Sequence, residues 1–164
     1  MTAAGIGLLD ALPSDAAETE LLGCCGSPEW ARRMAAARPF GSLDRLFQTA
    51  DAAWRSLPDS ERLQALDAHP RIGDRAASGR AAEEQAAALS AGDEDVRLLA
   101  EANREYEARF GRIFIVCAAG RTARQVLALC RERLKNDAAM ELTIAAEEQR
   151  QITRLRLERL AAGR

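Results

Sequence analysis

The chain has 164 residues, 48% of them hydrophobic and 29% charged, the make-up of one globular domain over residues 1–164 with a sizeable core. Lys+Arg is 23 against Asp+Glu 25, a formal net charge of −2, so no summed positive field is available to neutralise phosphates and a nucleic-acid binder is excluded. No apolar run reaches the ~18 residues of a membrane span and no charged-then-apolar leader opens the chain, which excludes a membrane partner and an export signal.

Apolar spacing follows the helical period almost throughout. Ser14 or Asp15 is expected to cap a helix ending near Leu22, before Gly23. Ser27-Pro28 reads as an N-cap with proline at the first helical position, opening a helix that stops before Arg38-Pro39. Ser42 opens the next, through Leu43, Leu46 and Phe47 to about Trp54. Asp59 or Ser60 starts a helix with Leu63 and Leu66 inward, and Pro70 forces it to end near His69. Arg71 to Arg80 is a loop, followed by a short helix over "AAEEQAAAL". Asp93 is expected to cap a long helix with Leu99, Asn103, Tyr106 and Phe110 on one face, stopped by Gly111.

"RIFIVCAAG" is too short for a helix of its own and has no partner strand, so it reads as an isolated, buried, extended segment. Thr122 caps a helix to Leu134, and the last helix runs from about Ala138 to Leu160. The fold class is all-α, without significant sheet.

Arginine is abundant (22 Arg, one Lys, with 35 Ala), a compositional bias that carries no functional message. Cys24, Cys25, Cys117 and Cys130 form no C-x-x-C pair, and one histidine makes a nitrogen-rich metal site improbable. Reduced, mostly buried thiols are expected. With the missing leader and a terminal Ala-Ala-Gly-Arg that is no peroxisomal address, they point to the cytoplasm.

Three positions do not suit a plain helical bundle. His69 is the only imidazole, and a stiff proline follows it at a helix end; a catalytic acid–base group and a surface histidine at a helix C-terminus are both open readings. Glu84 and Gln85 set a carboxylate beside an amide on an alanine helix, suited to a urea-like ligand or simply to solvent. Glu83 faces roughly 100° away. Arg156 projects onto the apolar arc of the last helix with Ala145, Ile152, Leu142 and Leu160, with Gln149 nearby, whereas Arg150 and Arg154 fall on the polar side. A guanidinium there needs an anion or several acceptors, from a ligand or from an internal carboxylate. Cys117 reads as a buried inert thiol, and the "AAGRT" turn offers helix-start amides that alone say little.

In chain order, "CCGSPEWARRMAAARPF", "AHPRIGD", "EEQ", "NREYEARFGRIFIVCAAGRT", "RERLKND" with Glu141, and "EEQRQITRLRL" resemble the OHCU decarboxylases, the 2-oxo-4-hydroxy-4-carboxy-5-ureidoimidazoline decarboxylases of urate degradation. The resemblance spans roughly Leu21 to Leu160. It implies an all-helical homodimer that acts on this small molecule without a cofactor or metal and yields (S)-allantoin. It also places catalytic roles on His69, Glu84 and Arg156. Substrate contacts fall on Pro70, Gln85 and the stretch with Ile115, Val116, Cys117, Ala118 and Gly120. The family's serine position holds Ala81 here, a departure that leaves a lyase or hydrolase of a related ureido heterocycle as an alternative. The other alternative is a non-catalytic helical interaction module.

Overall fold

The computed structural model describes residues 4–72 and 92–163. Eight α-helices and no strand occur among them: α1 (Ala4–Ala11), α2 (Ser14–Cys25), α3 (Pro28–Ala36), α4 (Leu43–Arg55), α5 (Asp59–Asp67), α6 (Asp93–Phe110), α7 (Ala123–Arg133) and α8 (Ala138–Ala161). The expected all-α class therefore holds.

Several ends follow the expected chemistry. The Ser27 and Ser42 side chains accept from the Trp30 and Arg45 amides, and Pro28 opens α3. Thr122 and Gln125 form a full capping box at α7, and Gly111 stops α6 at φ 67°.

Other ends differ. α2 runs through Gly23 to Cys25 and is capped by left-handed Gly26 at φ 80°, because Leu21, Cys24 and Cys25 are all buried. That burial outweighs the roughly 1 kcal/mol an internal glycine costs. Neither Ser14 nor Asp15 is the cap; Pro13 precedes the helix and no side chain caps it. Gly92, not Asp93, occupies the cap position of α6. α1 was not expected from the sequence; it carries two glycines in eight residues, which lowers its helix propensity. One of them is required by packing: a Cβ on Gly5 would lie 1.9 Å from the Ala161 carbonyl oxygen.

The chain divides into two compact units, Met1–Ala65 with Gln149–Arg164, and Leu66–Glu148. In the first, α3 packs on α2 and α4. Trp30 is fully buried, and its indole N–H donates to the Ala50 carbonyl at 3.1 Å. Buried Ser27 donates to Glu61 at 3.1 Å while capping α3. Asp10 takes the Phe40 and Gly41 amides, and Arg38 holds the Leu9 and Leu12 carbonyls, which ties the α3–α4 connection to the end of α1.

In the second unit, α6 and α7 pack together around Ile72, Leu99, Tyr106, Phe114, Val116, Val126 and Cys130. Inside this apolar cluster lies an ion pair. Arg133 donates to Glu141 at 2.8 and 2.5 Å, with side chains 7% and 0% exposed. Tyr106 O–H and the Asn136 amide also donate to the Glu141 carboxylate, at 2.5 and 2.9 Å. The guanidinium stacks 4.6 Å from the Phe114 ring centroid.

A guanidinium and a carboxylate this deep are tolerated only as a fully bonded set. Glu141→Leu should therefore destabilise the protein by ~3–5 kcal/mol, because Arg133 is left buried without its carboxylate. The double variant Arg133→Met/Glu141→Leu should recover a large part of that loss in denaturant unfolding. Additive single effects would contradict this account of the pair.

None of the four cysteines is in a disulfide; Cys24, Cys25 and Cys130 are buried as expected, whereas Cys117, expected to be buried, is half-buried. Burial pushes the Cys25 thiol up to about 12 from 9.0, against the lowering effects of the Ser27 backbone, the Thr153 side chain and Arg156. Burial likewise takes Cys130 from 9.0 to about 11. Burial, with the Glu141 hydrogen bond, raises the Tyr106 phenol above its ordinary 10.0. In each case the folded chain keeps a proton that the unfolded chain releases. Stability from these groups is thus complete below pH 9.0 and falls as pH rises toward the folded values of about 11 and 12. Denaturation midpoints should decline progressively above pH 9.0, and a midpoint that stays flat well into the alkaline range would contradict the assignment.

Candidate active site

His69 lies just past the end of α5, half-buried, with its amide donating to the Leu66 carbonyl at 3.3 Å. The residues after it are fixed by α6. Arg71 makes a two-pronged contact with Glu107, at 2.5 and 2.8 Å. Asn103 donates to the Ile72 carbonyl at 2.8 Å, and Ile72 itself is buried in the apolar cluster. The Arg71 contact holds the Glu107 carboxyl below the ordinary carboxylate range. His69 and Pro70 are therefore the half-buried start of a segment pinned on its C-terminal side. The Asn103 side-chain oxygen is buried and has no hydrogen-bond partner among the described residues.

Residues 113–118 form neither helix nor strand, and Phe114, Ile115, Val116 and Ala118 are buried. With no ladder available, side chains supply the backbone partners. Arg133 donates to the Ile115 carbonyl at 2.6 Å, Glu148 accepts from the Cys117 amide at 2.7 Å, and Arg121 donates to the Cys117 carbonyl at 3.0 Å. All three contacts fall on residues 115 and 117. These bonds take both backbone groups of Cys117 but only the carbonyl of Ile115. Among the described residues nothing bonds the Ile115, Val116 or Ala118 amides. Buried amides are rarely left without a partner. The segment is isolated, mostly buried and non-helical, as expected from the sequence.

The segment ends in a turn in which the Arg121 amide donates to the Ala118 carbonyl at 3.0 Å and Gly120 adopts φ 75°. The helix-start amides beyond it are partly committed, since Thr122 takes the Gln125 amide. On the outer face of α7, Gly120, Arg121, Gln125, Ala128, Leu129 and Glu132 line an open groove of about 400 Å³.

Arg156 lies in the other unit and is 9% exposed, on the buried face of α8 as projected. Gln149 and Thr153 continue that face; both are buried, and the Gln149 amide donates to the Thr153 hydroxyl at 3.1 Å. Arg150 and Arg154 point away as expected, Arg150 pairing with Asp51 at 3.1 Å and Arg154 lying 4.2 Å above the Phe47 ring. The polar stripe Gln149–Thr153–Arg156 thus offers an amide, a hydroxyl and a guanidinium at i, i+4 and i+7.

His69, Pro70, Ile115, Val116, Cys117, Ala118 and Gly120 all belong to the Leu66–Glu148 unit. Ala81, Glu84 and Gln85, with Glu83 and Ser78, lie outside the described residues. Among the described residues no group of three His, Cys, Asp or Glu side chains is arranged to hold a metal. Sequence reasoning missed Arg133, Glu141 and Glu148. The helical projection that singled out Arg156 also contained the signal. At 100° per residue Glu141 falls about 40° from Ala145, well inside the apolar arc, and Glu148 falls at its margin, about 60° away.

The family model for OHCU decarboxylase matches residues 10–158. The uric acid degradation bifunctional protein TTL of Arabidopsis thaliana is 36% identical over 87% of this chain, which spans only 47% of that protein. The 2-oxo-4-hydroxy-4-carboxy-5-ureidoimidazoline decarboxylase of Haloferax volcanii is 31% identical, with 80% of each chain aligned. A crystal structure of OHCU decarboxylase in the presence of (S)-allantoin has a TM-score of 0.78 and 36% identity, over 87% of this chain and 97% of that one. Across six stretches of sequence, a helical fold and a family match that runs nearly end to end, this chain belongs to the OHCU decarboxylase family.

Proposed function

We propose that this chain is a carboxy-lyase that converts 2-oxo-4-hydroxy-4-carboxy-5-ureidoimidazoline to (S)-allantoin in urate degradation. The observation that carries this reading is the family match over residues 10–158, which runs through both units and supports one functional domain. The unbonded amides of the buried residues Val116 and Ala118 support it locally, because this is where the resemblance puts substrate contacts.

The chemistry asks little of a cofactor. The carboxylate sits on a carbon next to a ring C=N, so the C–C bond breaks, CO2 leaves, and its electron pair is delocalised into the imine. The protein must hold the carboxylate out of the ring plane, stabilise the developing charge and deliver one proton to one face of the former imine carbon, while the hydroxyl proton of the decarboxylated carbon passes to the ring nitrogen as its carbonyl forms. In this reading His69 delivers the proton, held by a segment that Asn103 and Glu107 anchor. Glu84 and Gln85 take the ureido group, and Arg156 takes carbonyl or carboxylate oxygen through its planar fork. The amides of Val116 and Ala118 supply further donors to oxygen.

The resemblance also underlies the proposal of a cytoplasmic homodimer. No described helix is long and apolar enough to cross a membrane. Equilibrium sedimentation tests the dimer.

Freshly generated OHCU, followed by circular dichroism, should give (S)-allantoin much faster with the protein than without it. A racemic product at the uncatalysed rate would overturn the reading. Turnover should survive exhaustive dialysis against chelator; loss of activity restored by one metal would overturn the electron-sink argument.

His69→Ala should lower turnover ~10²–10⁴-fold with the fold intact. Glu84→Ala should be similarly damaging and Glu83→Ala mild, whereas equal damage from both would put the wrong helix face in the site. Arg156→Lys keeps the charge but loses the fork, so (S)-allantoin affinity should fall about tenfold or more. Unchanged affinity in a folded variant would assign Arg156 a structural role.

A further inference from the structure

Three side chains hold the segment 113–118 at Ile115 and Cys117, and Glu148 is the carboxylate among them, 2.7 Å from the Cys117 amide. Arg133 and Arg121 take carbonyl oxygens, at Ile115 and Cys117; Glu148 alone among the three takes an N–H. It projects from α8 and is half-buried, unlike Arg133 and Glu141, which are locked in the apolar cluster. Losing it leaves the ion pair and the packing of Phe114 in place and frees a single backbone bond. That bond fixes the plane of the Val116–Cys117 peptide, and through it constrains the directions of the neighbouring Val116 and Ala118 amides.

We propose that Glu148 is a positioning residue for substrate: by accepting the Cys117 amide it turns the Val116 and Ala118 amides toward the ligand. This rests on the reading of the segment as part of the substrate site. It assigns the Cys117 amide to the framework and the two neighbouring amides to the ligand. What matters is an acceptor at the reach of a glutamate, not a negative charge. A glutamine keeps the acceptor and the reach, an aspartate keeps the charge but is one methylene shorter, and an alanine keeps neither.

The test measures KM and kcat for OHCU, the Kd for (S)-allantoin and Tm for the wild type and for Glu148→Ala, Glu148→Gln and Glu148→Asp. Glu148→Ala and Glu148→Asp should raise KM and the (S)-allantoin Kd about tenfold or more, with a smaller fall in kcat and little change in Tm. Glu148→Gln should restore most of that loss. If Glu148→Ala does not fold, the contrast of Glu148→Asp with Glu148→Gln carries the same test. Glu148→Asp binding like the wild type overturns the proposal by making reach irrelevant, and Glu148→Gln as weak as Glu148→Asp overturns it by making the charge indispensable. A lower Tm with unchanged KM and Kd overturns it in favour of a purely structural contact. A wild type that neither turns over OHCU nor binds (S)-allantoin overturns the proposed function and this inference together. A wild type that does both, with every variant binding equally well, overturns the inference alone.

Discussion

The buried Arg133–Glu141 pair is the constraint on which the second unit depends. Placing a guanidinium and a carboxylate in an apolar cluster is unfavourable unless every donor and acceptor finds a partner, and here the partners come from distant parts of the chain. Tyr106 comes from α6, Asn136 from the α7–α8 connection, and the Ile115 carbonyl from the extended segment. The pair thereby joins three helices and one irregular stretch at a single point. An aliphatic core of the same volume would bury those elements equally well. It would leave the Ile115 carbonyl without a donor, and the segment without a fixed register.

The same logic explains why the stretch "NREYE" in α6 is so dense in polar residues. Asn103, Tyr106 and Glu107 stand at i, i+3 and i+4 and so share one side of the helix. Asn103 and Glu107 hold the loop that follows His69, while Tyr106 completes the ion-pair network. One helix face therefore sets both the histidine segment and, through Glu141 and Arg133, the amide segment. The apolar cluster around Ile72, Phe114 and Val116 keeps the two on a common core. Mechanistically this matters because proton delivery and oxygen binding must be aligned to a fraction of an ångström, which loops alone seldom achieve.

Much of this was legible in the sequence, for physical reasons that differ from residue to residue. Ser27-Pro28, Thr122 and Gly111 are local signals, and the structure uses each as its chemistry suggests. The buried face of the last helix, Arg156 included, followed from period alone. The extended segment was visible because an apolar run with no partner strand has few alternatives. Gly23 misled because a local propensity was set against tertiary burial that the sequence does not display, and α1 was missed because Gly5 is there for a close backbone approach to Ala161. Arg133, Glu141 and Glu148 were not recognised because their partners are backbone groups and side chains far along the chain. The helical projection places Glu141 in the apolar arc and Glu148 at its margin, but it does not name the partner of either. For Glu84 and Gln85 the resemblance to the family remains the argument.

The central claim is the proposal that Glu148 holds the Cys117 amide and leaves the Val116 and Ala118 amides to the ligand. The most direct measurement is an amide-resolved NMR titration of the labelled protein with (S)-allantoin. The account predicts that the Val116 and Ala118 amide protons shift most within the segment and become protected from exchange, while Cys117 is protected before ligand is added and changes little. Saturable binding that moves Cys117 and leaves Val116 and Ala118 unperturbed would contradict it.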